Sequence, residues 1–75
     1  MKLGYVVLLK DKTKCLRELH NKYNSITTTL SNDFINIKIY PDKEEANDGI
    51  SRYCARVEKY KKEDFIIREI GIKEV

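Results

Sequence analysis

The feature that most constrains the fold is the segment 3–10, in which aliphatic and aromatic side chains occupy consecutive positions from Tyr5 to Leu9. In an extended strand, successive side chains point to opposite faces. One face would carry Tyr5, Val7 and Leu9, and the other Val6 and Leu8. A strand that is apolar on both faces is typical of the interior of a sheet. We therefore expect a central strand here, with a helix covering at least one face.

The length of the chain limits what can surround that strand. A chain of 75 residues and 8.9 kDa has room for one small domain, residues 1–75, with a thin core. Its net charge is +3, which is low for a dedicated nucleic-acid-binding domain. No apolar run reaches the roughly 18 residues of a membrane span, and residues 3–9 are too few for a signal-peptide core. We expect a soluble, cytoplasmic protein with no membrane partner.

The next two segments are less regular. Asp11 and Lys12 are expected to form a turn. Residues 13–20 fit a helix through Leu16, Leu19 and Tyr23, and a strand through Cys15, Arg17 and Leu19. We favour the strand, because a short polar link of this kind joins the strands of a hairpin. Residues 21–32 are rich in Ser, Thr and Asn, so we expect an irregular loop there.

A second half-buried strand is expected at residues 34–40. Ile35, Ile37 and Ile39 alternate with polar residues and would share one buried face. Pro41 cannot donate to a ladder and would end the strand.

The strongest periodic signal predicts a helix over residues 42–62. Asp42 and Glu45 have the spacing of a capping box at its start. Apolar side chains recur every three or four positions at Ala46, Ile50, Tyr53, Cys54, Val57 and Tyr60. The acidic first turn and the basic last turn (Lys59, Lys61, Lys62) would suit the helix dipole. Gly49 indicates a close approach to the sheet.

The chain ends in a predicted strand, residues 64–75. Phe65 and Ile67 are odd-numbered whereas Ile70 and Ile72 are even-numbered. Either the strand is apolar on both faces near its start, or a bulge between residues 68 and 71 shifts its register. The sequence leaves both alternatives open.

These elements predict an α+β fold: a small sheet of three to four mostly antiparallel strands with one long helix on one face, in the order ββ(β)αβ. One helix covers only one face of a sheet. We therefore expect the other face to be left partly bare, as a surface for a partner or a second copy.

Motifs for catalysis and cofactor binding are missing. The three glycines are isolated and form no phosphate-binding loop. His20 is the only imidazole, and on a strand it would lie on the face opposite Cys15. Cys15 and Cys54 are expected to be reduced, mostly buried thiols. We expect no enzyme, no cofactor and no metal site.

Basic side chains are the one polar grouping that suggests binding. Three lysines and an arginine surround the first turn, and further basic residues follow on the predicted helix with a spacing of four and three. The candidate interaction residues are Lys10, Lys12, Lys14, Arg17, Arg52, Arg56 and Lys59. Together they could contact a phosphate backbone, although acidic residues are interspersed among them.

A resemblance covers most of the chain. It rests on Tyr-Val-Val-x-Leu at residues 5–9, Thr-Leu-Ser-Asn-Asp at 29–33, Tyr-x-x-Lys-Glu-Glu-Ala at 40–46 and Phe-Ile-Ile-Arg-Glu-Ile at 65–70. This order resembles small uncharacterised proteins of bacteriophages and other mobile elements. The resemblance implies a ββαβ-type arrangement, a short turn around residues 33–37 in place of the strand, and a non-enzymatic accessory or host-directed role.

The leading functional hypothesis is a small protein-interaction module, such as a phage-type inhibitor or adaptor, that binds through the uncovered sheet face or an open strand edge. It includes self-association as a homo-oligomer. One alternative is a nucleic-acid-binding accessory protein that uses the basic turn and helix face. Another is a structural subunit of a larger assembly.

Overall fold

The computed structural model describes residues 2–23 and 25–73, and it shows a four-stranded antiparallel sheet with one helix packed on it. The strands are β1 (Lys2–Leu9), β2 (Cys15–His20), β3 (Ile26–Ser31) and β4 (Phe65–Ile72), and the helix α1 is Lys43–Arg56. A single 3-10 turn, Lys62–Asp64, precedes β4. The strand order β3-β2-β1-β4 confirms the predicted fold class and places β1 in the interior.

The β1–β4 pair forms a long, unbroken ladder. Its register runs without interruption from Lys2 opposite Ile72 to Leu9 opposite Phe65. The ladder contains no bulge, so the phase change in the final strand means that β4 carries apolar side chains on both faces. Of the two alternatives that the sequence left open, the second is wrong.

The β1–β2 hairpin confirms the strand interpretation of residues 13–20. Leu8 lies opposite Cys15. The turn between the strands contains Lys12 with a φ of 62°, in the left-handed region that residues other than glycine seldom adopt. The Asp11 carboxylate accepts hydrogen bonds from the backbone N–H and hydroxyl of Thr13, and these bonds lower the pKa of the Asp11 carboxyl.

The predicted loop at residues 21–32 is wrong over its second half, where β3 pairs with β2 along six residues. The polarity of three consecutive threonines, residues 27–29, suggests a loop. Their β-branched side chains, however, favour extended backbone. Thr28 is buried and Leu30 packs against the core, so β3 has an apolar inner face that the local composition concealed.

The helix begins as predicted but ends earlier. Asp42 is its N-cap and accepts a hydrogen bond from the backbone N–H of Glu45 at 2.8 Å. Val57 is already extended, so α1 stops at Arg56 and the lysines predicted for its last turn, at positions 59, 61 and 62, lie beyond it. The chain must turn back there to enter β4. Tyr60 keeps its place in the core outside the helix, packed against Tyr53 and Phe65 with ring centroids 6.2 and 6.1 Å away.

The main core lies between the sheet and α1. Its buried members are Val7, Leu9, Leu16, Tyr40, Ala46, Ile50, Tyr53 and Phe65. The helical stripe predicted from the sequence supplies three of these residues, and its members Cys54 and Val57 are half-buried against the same cluster. Both cysteines are free thiols; Cys15 is buried and Cys54 half-buried, as expected.

Candidate interaction surface

The strand predicted at residues 34–40 is wrong: most of this segment forms a turn and an extended connection between β3 and α1. Its last residues insert between β1 and β2, which separate beyond the hairpin turn. The Lys38 N–H donates to the Leu16 carbonyl at 3.1 Å, and Tyr5 and Tyr40 exchange backbone hydrogen bonds of 2.9 and 2.7 Å. The connection thus satisfies backbone groups of both strands where the strands no longer pair.

Tyr40 fixes the connection on the helix side of the sheet. Its side chain is almost completely buried. A Cβ atom added to Gly49 would lie 2.7 Å from Cζ of Tyr40, which is closer than real contacts of this kind. Gly49 therefore marks a close approach, as predicted, but the group it admits is the Tyr40 ring on the connection.

Glu18 joins three elements at one end of this core. Its carboxylate accepts hydrogen bonds from the Arg52 guanidinium at 2.7 Å and the Tyr40 hydroxyl at 3.2 Å, and the Lys38 ammonium lies 3.7 Å away. The Glu18 side chain is only 7% exposed. Burial, followed by the charge of Glu18, raises the pKa of the Tyr40 hydroxyl. A tyrosine hydroxyl is protonated near neutral pH even at its ordinary pKa, so Tyr40 is the donor in its bond to Glu18, and this bond has a structural role.

The face of the sheet turned away from α1, which we call the second face, carries Gly4, Val6 and Leu8 of β1. Opposite them on β4 lie Ile70, Arg68 and Ile66. Gly4 and Val6 are buried, as is Cys15 on the neighbouring strand. The β4 residues on this face are half-buried or exposed. The second face is therefore partly bare, as expected: its centre is covered and its β4 side is not.

The connection supplies that cover. Ile39 lies on the second face, since a Cβ atom on Gly4 would be 2.6 Å from its Cγ2 atom and 2.8 Å from Cδ1 of Ile72. At the β2 side, the Cys15 thiol donates to the Asp33 carbonyl at 3.7 Å, and the Arg17 guanidinium lies 3.5 Å from the Asp33 carboxylate. Burial raises the pKa of the Cys15 thiol.

Asp33 also closes the turn that replaces the predicted strand. Its carboxylate accepts hydrogen bonds from the Asn36 side chain at 2.6 Å and from the backbone N–H groups of Ile35 and Asn36 at 3.1 and 3.4 Å. These bonds, the side-chain bond first, lower the pKa of the Asp33 carboxyl. The turn lies where the resemblance implied one. It gives the backbone local partners that compete with a strand ladder.

The turn and the extended residues that follow it expose apolar side chains to solvent. Ile35 is 94% exposed, Phe34 44% and Ile39 41%. The alternation that suggested a buried isoleucine face therefore marks an outward surface at Ile35. We define the display surface as the exposed Phe34, Ile35 and Ile39 of the connection.

The predicted basic residues divide into two sets. Lys10, Lys12 and Lys14 are exposed on the hairpin, and Lys59 meets Lys10 at a shallow groove. The full lining of that groove is Leu9, Lys10, Asp11, Lys59, Tyr60 and Asp64. Two carboxylates thus stand among the lysines, so the groove is of mixed charge.

The three arginines lie elsewhere and are engaged within the fold. Arg17 lies beside Asp33 and Arg52 bonds Glu18. Arg56 donates to the Thr28 carbonyl and lies 5.8 Å from the Tyr53 ring centroid. Their guanidinium groups hold elements together, and the structure does not bring them into one surface with the hairpin lysines.

Sequence reasoning missed Glu18, Tyr40, Asp33 and the outward role of Ile35. Nothing in the alternation of β2 distinguishes Glu18 from an exposed strand residue. Asp33 did have a signal, because an Asp side chain often closes a turn by accepting from the backbone N–H two residues on, which here belongs to Ile35.

Comparisons with known proteins add no relative: a scan against family models finds no match, and searches of curated proteins and of solved structures find no similar protein. Among residues 2–23 and 25–73, no helix has the length and apolarity needed to cross a membrane. In the same residues, no three His, Cys, Asp or Glu side chains are grouped so as to hold a metal ion.

Proposed function

We propose that this chain is a small, non-enzymatic protein-interaction module that binds a partner protein through the display surface. The observation that carries the proposal is Ile35, whose side chain is 94% exposed on a turn that Asp33 holds in place. An apolar side chain that a closed turn holds in water contributes no free energy of burial to the fold. It is what a binding surface requires, since desolvation of aliphatic groups drives most protein association.

The neighbouring residues support the same reading. Ile39 and Ile72 approach the same point above Gly4, so the connection and β4 present adjoining apolar groups. Arg68 lies between Ile66 and Ile70 on the second face of β4 and is exposed. A partner surface that is mainly aliphatic and carries a carboxylate opposite Arg68 would match this arrangement.

The resemblance to phage and mobile-element proteins makes a host protein the expected partner, acted on by an inhibitor or adaptor. A role as a structural subunit would use the same surface. Nucleic-acid binding has less support from the contacts, because Arg17, Arg52 and Arg56 are engaged within the fold and the lysine groove includes Asp11 and Asp64. Loss of nucleic-acid affinity with rising salt would favour that alternative.

Site-specific photo-crosslinking tests the proposal. A photoreactive amino acid is placed at Ile35 and, as the matched control, at Ala55, an exposed position on α1. In an extract of the native host, we expect one predominant protein adduct from position 35 and none from position 55.

Competition makes the result specific to the display surface. Excess unlabelled protein should suppress the adduct, whereas an Ile35→Lys, Ile39→Lys variant should not. Equal adducts from both positions, or suppression by the doubly substituted variant, would contradict the proposal.

A further inference from the structure

The outer edge of β4 exposes a defined set of backbone groups. β4 ends the strand order, with β1 on its inner side. Tyr5 exchanges hydrogen bonds with Tyr40 on the β2 side, whereas the Lys10 N–H donates to the Asp64 carbonyl on the β4 side. Because backbone groups alternate in direction along a strand, the even-numbered residues of β1 face β4 and its odd-numbered residues face away.

The register transfers this alternation to β4. Gly4 lies opposite Ile70 and Val6 opposite Arg68, so even-numbered residues of β4 bond to β1. The odd-numbered residues, Ile67, Glu69 and Gly71, direct their N–H and C=O groups outward. Among the residues that the structure describes, no strand lies along that edge. An open edge of this kind is a template for another strand.

The end of β4 is complementary to itself. Residues 69–73 read Glu-Ile-Gly-Ile-Lys. Two isoleucines lie symmetrically about the central glycine, and the two end residues carry opposite charges. If a second copy runs antiparallel with its two-fold axis at Gly71, Ile70 of each copy faces Ile72 of the other, and Glu69 faces Lys73. Apolar and opposite-charge cross-strand pairs each stabilise an antiparallel pair.

The charge pattern and the backbone direction agree. In this register the hydrogen-bonded residues are Glu69, Gly71 and Lys73. The first two belong to the outward-facing set of β4, and Lys73 is the first residue after the strand. At the axis the two chains meet at glycine, which has no side chain. The isoleucine pairs lie on the second face and continue its apolar surface from one copy to the next.

Three other registers are less favourable. Moving the axis to Ile70 leaves Glu69 opposite glycine and removes the charge pairs. An axis at Glu69 places two carboxylates opposite each other, and an axis at Arg68 does the same with two guanidinium groups. Like charges directly opposite destabilise a strand pair.

We propose that two copies of this chain pair antiparallel along the outer edge of β4, with the two-fold axis at Gly71, and join their sheets into one. The interaction is isologous, so it closes after two copies. It does not depend on the foreign partner proposed above, because it uses the strand edge and residues 69–73 in place of Phe34 and Ile35.

Charge reversal at Glu69 or at Lys73 tests the pairing. Sedimentation velocity of the wild-type chain from micromolar to millimolar concentration should show a monomer–dimer equilibrium. Glu69→Lys and Lys73→Glu should each weaken the dimer about tenfold or more, because two attractive pairs become repulsive. Mixing the two variants should restore a heterodimer, and the doubly substituted chain should restore the homodimer.

Two further measurements separate pairing from folding. Asp48→Lys makes the same change in net charge as Glu69→Lys, at an exposed position of α1, and should leave the dimer intact. Hydrogen exchange should show the Glu69 and Gly71 amides protected only at high concentration, whereas Arg68 and Ile70 are protected throughout.

A single-chain mass at every concentration would overturn the inference, as would a dimer that Glu69→Lys leaves unchanged or a mixture of variants that fails to associate. Each of these outcomes leaves the crosslinking result at Ile35 unaffected, so the two proposals fail separately.

Discussion

The two faces of the sheet are covered by different means. On one face, α1 buries a continuous cluster that includes Val7, Leu16 and Ile50. On the other, the β3–α1 connection covers Gly4 and Cys15, and the turn at its start is closed mainly by polar contacts of Asp33. Apolar burial is non-directional and spread over many side chains, whereas the closure of this turn depends on one carboxylate. We therefore expect the second face to be exposed, beginning at this turn, at much smaller cost than the first.

The largest expected effect is on the helix face. Ile50→Asp places a carboxylate among buried apolar side chains, which should cost about 3–5 kcal/mol. That is comparable with the whole free energy of unfolding of a domain of this size. We expect the cooperative thermal transition, monitored by circular dichroism, to be lost.

The matched control is Ala55→Asp, which introduces the same side chain on the exposed side of α1. It should shift the melting temperature only slightly. If Ile50→Asp melted near the wild-type temperature, α1 would not form the core of the helix face.

Arg52→Ala tests the polar contact at the edge of the same face. Although Arg52 is half-exposed, its guanidinium bonds Glu18, whose side chain is 7% exposed. Removing it leaves a buried carboxylate with fewer partners, which should cost about 1–3 kcal/mol. In urea unfolding, a Glu18→Gln, Arg52→Ala double variant should lose less than the sum of the two single changes. Strict additivity would show that the pair does not stabilise the fold.

Gly49→Ala tests the fit of Tyr40 against the helix. The added methyl group would lie 2.7 Å from Cζ of Tyr40, so the ring or the helix must shift, at a cost of about 1–3 kcal/mol. The higher helix propensity of alanine relative to glycine offsets about 1 kcal/mol of this cost. We expect a net destabilisation in urea, smaller in a Tyr40→Phe background. A stabilised Gly49→Ala variant would mean that the connection does not press on α1.

The sequence was most informative where pattern and tertiary packing agree. The interior strand β1, the Asp42 cap and the stripe on α1 could all be predicted, because their apolar spacing matches the period of the element that buries it. The β4 strand was predicted as well, and only its register needed the structure.

The misses share a physical cause. Polar composition predicts a loop at the threonines of β3, and alternation predicts a strand at the isoleucines of residues 35–39. Long-range pairing decides the first segment and the Asp33 turn the second. The candidate site was less predictable from the sequence than the fold, because the contacts of Glu18 and Tyr40 join residues far apart in the chain. No local pattern records such contacts.

The smallest stability change is expected on the second face, from Asp33→Asn. The Asn36 side chain, the turn amides and Arg17 hold the pKa of the Asp33 carboxyl below its ordinary value of 3.8. A lowered pKa in the folded state means that the carboxylate stabilises the fold above the unfolded-state pKa, and that this contribution is lost as pH falls through the folded-state pKa. The melting temperature of Asp33→Asn should therefore lie slightly below wild type at neutral pH and converge with it on acidification.

Thiol labelling distinguishes a loosened cover from a general loss of stability. In a Cys54→Ser background, Asp33→Asn should speed labelling of Cys15, whose thiol bonds the Asp33 carbonyl, while the exposed-site control Asp48→Asn should not. Because Tyr40 and α1 remain packed on the helix face, this opening should leave the main thermal transition cooperative. If Cys15 instead became reactive only when the whole domain unfolded, the two faces would form a single cooperative unit, and the contrast between them would be one of composition and not of stability.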